Sequence, residues 1–146
     1  MKRIGVYLFI ALSWLLGRSP HFILYGLADI TYIVLFYVIG YRKKVVYNNL
    51  KNSFPEKSEK EIKLIQKKFF HHLSDVFVEN VALIKMSKKR VLKMVEFEET
   101  DIPKRLYNNN KCIIGVTGHY SNWEIYLTLP KILKHLVLGV YKPLNN

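Results

Sequence analysis

The sequence predicts an α/β protein: amino-terminal membrane-associated helices, then the start of a parallel α/β domain that is incomplete at its carboxyl end. Three observations predict this. Two apolar runs, Ile4–Leu16 and Phe22–Ile39, open the chain between Lys2-Arg3 and Arg42-Lys43-Lys44. Farther on, an apolar run at 111–116, a helical stretch at 120–133 and a second apolar run at 136–141 read as strand, helix and strand, the opening of a parallel unit. The last residues, Tyr141-Lys142-Pro143-Leu144-Asn145-Asn146, look like neither a helix stop nor a polar tail, so the chain reads as interrupted there.

Composition narrows the function classes. Half of the 146 residues are hydrophobic, which excludes a globally disordered chain. A net charge of +12 points to anionic partners: phospholipid head groups, an acidic carrier protein or nucleic acid. Charge alone does not choose among them. Cys112 is the single cysteine, so an intrachain disulfide and a thiolate zinc site are both excluded.

The first apolar run is short for a membrane crossing, which takes roughly 20 residues. Gly17-Arg18-Ser19-Pro20 breaks it. The second run is long enough but carries Asp29, costly at mid-bilayer. Three readings compete: a cleaved signal peptide, a pair of buried core helices, and a membrane-associated hairpin or uncleaved anchor. No small-x-small cleavage site follows the first run, and apolar sequence resumes after Pro20, against the signal peptide. The flanking basic residues favour the hairpin or anchor at a cytoplasmic face, with the number of crossings open.

Asn48 to Pro55 reads as a connection. Ser58-Glu59-Lys60-Glu61 has the capping-box pattern, with serine at the cap and glutamate three residues on. Ile62, Ile65, Phe69, Leu73, Val76, Val81 and Ile84 then fall near one helical face, with Lys63, Lys67 and Lys68 on the other, as in an amphipathic helix packed on a core. A shorter helix runs from Ser87 to about Met94, and Val95–Glu98 suits a short strand. Asp101–Leu106 reads as a helix ended by Asn108-Asn109-Asn110. Lys111–Val116 has the character of a buried parallel strand, Thr117-Gly118 turns the chain, Tyr120–Leu133 is helical, and Leu136–Tyr141 is a second strand.

The chemistry concentrates just past the first of these strands. His119 follows Gly118, and Glu124 comes five residues after it. Catalytic groups in open α/β sheets sit at the carboxyl ends of strands, and Gly118 lets the backbone turn closely there. A neutral imidazole is a natural general base for a hydroxyl near neutral pH. A carboxylate on its other ring nitrogen fixes the tautomer and stabilises the imidazolium. Such a pair suits acyl transfer from a thioester to a hydroxyl that attacks directly, with no serine or cysteine nucleophile.

Gly118-His119-Tyr120-Ser121-Asn122-Trp123-Glu124 is similar to the G-H-[FY]-x-N-W-E signature of the lipid A biosynthesis lauroyl/myristoyl acyltransferases, within the wider H-x-x-x-x-[DE] acyltransferases. Arg42-Lys43-Lys44-Val45-Val46-Tyr47-Asn48-Asn49-Leu50, with Ser53-Phe54-Pro55-Glu56, resembles that family's R-x-x-V-x-x-N-L…F-P-E segment. The apolar start resembles its inner-membrane anchor. The resemblance implies His119 as general base, Glu124 as its partner, and Asn122, Trp123 and Gly118 as residues shaping the substrate site. It implies an acyl carrier protein or acyl-CoA thioester as donor, a lipid A precursor or related glycolipid as acceptor, and no further cofactor or metal. It places the chain on the cytoplasmic face of a bacterial inner membrane, with residues 1–44 as anchor and 45–146 as the amino-terminal part of the acyltransferase domain. Family members look roughly twice this long, a size more usual for a full enzyme domain. The chain is therefore expected to be inactive alone, the alternative being a non-catalytic membrane-binding remnant.

Other clusters have plainer readings. His71, His72, Asp75 and Glu79 lie at helical spacings that suit a metal face, but such residues more often form the polar side of an amphipathic helix. His21 and His135 read as surface or interface residues. Aromatics interleaved with lysines raise nucleic-acid stacking. Their concentration in the apolar start favours core or membrane interface instead, so no nucleic-acid partner is expected.

Overall fold

In the computed structural model, residues 2–95, 101–118 and 120–140 are described. The elements are α1 (Lys2–Leu16), α2 (His21–Ile33) continued by a π-helical stretch (Val34–Ile39), α3 (Lys43–Ser53), α4 (Glu59–Leu83), α5 (Lys88–Met94), α6 (Asp101–Asn108) and a 3₁₀ helix (Trp123–Lys131). They form two compact units, Met1–Met86 and Ser87–Asn146.

In the first unit, α1, α2 and α3 all pack on α4. The break at Gly17–Pro20 separates α1 from α2, as its residues predict. Gly17 sits where α1 meets the end of α4: a Cβ there would lie 2.9 Å from the Lys85 carbonyl carbon and 3.0 Å from the Ala82 oxygen. Backbone atoms cannot swing aside. Gly17→Ala is therefore expected to destabilise this unit by about 1–3 kcal/mol, the usual range for overpacking, read as a lowered midpoint in thermal unfolding. The π-helical stretch ends at Gly40, in the left-handed region with φ 66°, and α3 then starts after Arg42.

The capping box at α4 forms as expected. The Glu61 N–H donates to Ser58 Oγ at 3.3 Å, and the Ser58 N–H donates to Glu61 Oε2 at 2.9 Å. Hydrogen bonds from the Ser58 side chain and then its backbone hold the Glu61 carboxyl below its ordinary value of 4.5. A depressed carboxyl stabilises the fold above that value, and the contribution is lost as the pH falls below it. Ser58→Ala is expected to cost about 1 kcal/mol. Faster amide exchange in the first turn of α4 would report it, and Glu61→Gln would flatten the acid dependence of that exchange.

The buried stripe of α4 differs from the apolar face read from sequence. It runs Ile62, Gln66, Phe70, Ser74, Val78 and Ala82, whereas Phe69 and Ile84 are largely exposed. Polarity did not bar Gln66 and Ser74, because both are satisfied: Gln66 Nε2 donates to the Lys43 carbonyl at 2.7 Å and Ser74 Oγ to the Phe70 carbonyl at 2.9 Å, which removes most of the penalty for burial. The same Gln66 bond ties α3 to α4. It helps explain why 48–53, expected to be a connection, continues as helix: packing overrides the weak helix propensity of the paired asparagines.

In the second unit, α5 and α6 match the helices expected there. Asn110 turns the chain after α6 with φ 53°. The strands do not form. Among the described residues there is no strand and no sheet, which overturns the parallel α/β expectation. Residues 111–116 and 136–140 run without ladder partners, and Ile114 and Val116 are over nine-tenths exposed. Apolar runs that look like strands become strands only when a neighbour takes their N–H and C=O groups. Here the two runs do not pair with each other. The stretch expected as a crossover α-helix is a 3₁₀ helix with Pro130 inside it, and Pro130 has no N–H for an α-helical bond. Val95 is extended but caps α5, its N–H donating to the Val91 carbonyl at 3.1 Å, and Glu96–Glu98, the rest of that expected strand, lie outside the described residues.

Candidate active site

The segment that carries the chemistry lies in the second unit. Lys111 is held at both polar ends: its N–H donates to the Leu106 carbonyl at 2.9 Å, and its carbonyl lies 3.1 Å from His135 Nε2. The His135 ring also meets Tyr107 edge-on at 5.1 Å. His135, read from sequence as a surface or interface residue, thus braces the start of the segment. The contact could not be read from the sequence, since its partner is 24 residues away.

Gly118 is in open space: a Cβ built on it meets nothing within 4 Å, and its φ is not positive. The Gly118 carbonyl accepts from the Tyr120 N–H at 3.1 Å, a tight turn directly after Gly118, and Ser121 follows in the left-handed region with φ 51°. Asn122 follows as the residue before the 3₁₀ helix, its carbonyl accepting from the Ile125 N–H at 3.2 Å. Trp123 and Glu124 occupy the first turn and are half-buried with Asn122. A carboxylate in a first helical turn sits favourably against the free N–H groups there. Thr128, fully buried, donates to the Ile125 carbonyl at 2.6 Å and steadies the helix. His119 lies outside the described residues. Gly118, Asn122, Trp123 and Glu124 are neighbours along the chain, with the turn at Ser121 between Gly118 and the other three.

What this segment belongs to is decided by comparison with protein-family profiles, which matches all of residues 1–146 to the bacterial lipid A biosynthesis acyltransferases. The chain belongs to that family. No curated protein matched it. No solved structure matched it either.

Within this acyltransferase-family chain, the second cluster read from sequence resolves differently from a metal face. His71 Nε2 lies 2.9 Å from Asp29 Oδ1 and its Nδ1 3.4 Å from Asp75 Oδ2. The Tyr25 hydroxyl donates to Glu79 at 2.9 Å. The pairs to Asp29 and from Tyr25 join α2 to α4, and the pair with Asp75 lies within α4. The Asp75 partner is legible as an i,i+4 pair; the Asp29 partner is not, because it comes from another helix. Among the described residues no group of three or more His, Cys, Asp or Glu is arranged to hold a metal ion.

Proposed function

We propose that this chain works in transfer of a fatty acyl group from an acyl carrier protein or CoA thioester to a hydroxyl of a lipid A precursor or related glycolipid. The family match over residues 1–146 carries the reading. The acceptor oxygen attacks the thioester carbonyl carbon, the new C–O bond forms and the C–S bond breaks. His119 takes the hydroxyl proton and passes it to the departing sulfur. Glu124 orients the imidazole and stabilises its charged form. Gly118, Asn122 and Trp123 shape the surface on which the substrates lie. No cofactor takes part beyond the thioester donor.

Residues 1–44 act as the anchor and 45–146 as part of the catalytic domain, at the cytoplasmic face of the inner membrane. Support for the anchor comes from His21–Ile39, a helix long and apolar enough to cross a membrane by length and composition. Much of α1, α2 and the π-helical stretch is exposed apolar surface, with Phe22 of α2 at 76% and Val38 of the π-helical stretch at 74%; patches of that kind mark membrane or partner contact. The polar groups Tyr25 and Asp29 of α2 are engaged by α4, which suits a helix docked on its own domain as well as on lipid. The test is mass spectrometry of the acceptor after incubation with donor thioester in mixed micelles. A gain of one acyl group supports the reading. An unchanged acceptor together with firm vesicle binding would instead favour a non-catalytic membrane-binding remnant.

A further inference from the structure

A cleft of about 500 Å³ opens between α3 and α4, within the first unit, and four lysines line it: Lys43, Lys44, Lys63 and Lys67. Phe36, at the end of the apolar helix, forms part of its wall, and Tyr47 adds a phenol. The four cations come from two different helices, so they converge through the fold and not through sequence alone. Two of them have local partners. Lys43 Nζ sits 3.8 Å from the Phe36 ring centroid, and Lys63 Nζ is 3.9 Å from Glu59. Among the described residues, no carboxylate lies within ion-pair distance of Lys44 or Lys67. Like charges gathered without counter-charges repel, and an anion that enters relieves them.

We propose that this cleft binds a phosphate group. Lysine ammonium groups bind phosphate as point charges, and phosphate is a multivalent anion small enough for several lysines to reach at once. The Phe36 wall and the lysine stems supply apolar surface beside the charge, so the group can arrive on an amphiphile as well as free in solution. The cleft adjoins the helix that is apolar enough for a membrane, where head-group phosphates lie. The inference does not rest on acyl transfer by His119 and stands or falls separately.

The full chain, isotope-labelled in a neutral detergent, is titrated with dihexanoyl phosphatidic acid, with dihexanoyl phosphatidylcholine and with inorganic phosphate, following backbone amide resonances. The expected result is saturable shifts at Lys44, Tyr47, Lys63 and Lys67 with phosphatidic acid, weakening as salt is raised. The paired substitution Lys44→Gln with Lys67→Gln should weaken binding by about tenfold or more, since hydrogen bonds to charged groups are among the stronger ones. Both sites are exposed, and an unchanged helical circular dichroism spectrum would show that the variant folds. Displacement by inorganic phosphate assigns the cleft to the phosphate alone; resistance to displacement assigns it to a lipid head group. Non-saturating shifts, equal binding of phosphatidylcholine, or an affinity unaltered in the double variant would overturn the proposal.

Discussion

His119→Ala is expected to lower acyl transfer by about 10³-fold or more, and Glu124→Gln by about 10²–10³-fold, within the range that a positioned general base supplies. Glutamine keeps the size of the side chain and removes its charge, so the imidazole loses the group that stabilises its charged form. In the proposed reaction the two residues act as one unit. The double variant should therefore be no slower than His119→Ala by more than a few-fold, since losses within a catalytic unit do not add. Initial rates of product formation check this, with circular dichroism as the control for folding. Additive losses would show that the two residues act separately. A His119→Ala variant with wild-type rates would remove the general base from the scheme.

The largest effect on stability is expected at Phe70. It is fully buried in the stripe of α4, edge-on to Phe36 at 5.3 Å and to Phe69 at 5.4 Å. Phe36 belongs to the π-helical stretch that ends the apolar helix, so Phe70 ties that stretch to α4. Phe70→Ala removes a ring and leaves a cavity, at a cost of about 3–5 kcal/mol. The neighbouring Phe69 is 42% exposed; Phe69→Ala should cost well under half as much. Denaturant unfolding in neutral detergent separates the two. Equal losses would mean that α4 packs through the face read from sequence and not through the stripe described above.

Local signals were legible wherever one residue's chemistry decides the backbone. Ser58 and Glu61 announce a helix start because each satisfies an N–H of the other. Pro20 after Gly17 ends one apolar helix and starts the next, and Asn110 takes the left-handed conformation that few side chains tolerate. What escaped sequence reading depends on partners distant along the chain. Gln66 is buried because the Lys43 carbonyl waits for it, and Asp29 is tolerated in an apolar helix because His71 faces it. The expected strands failed for the same reason, since the apolar run at 111–116 states a preference but not a neighbour. The candidate site lies between these cases. Its residue pattern was readable from Gly118 to Glu124, while the turn at Ser121 and the hold of His135 on Lys111 were not.

In the proposed reaction the acceptor hydroxyl attacks the thioester directly. Thiol release from the donor, followed with and without the lipid acceptor, tests it. One thiol should be released for each acylated acceptor, and none above background when the acceptor is withheld. A burst of thiol without acceptor, or steady release with no acylated lipid, would contradict it and point to an acyl-enzyme or to simple hydrolysis.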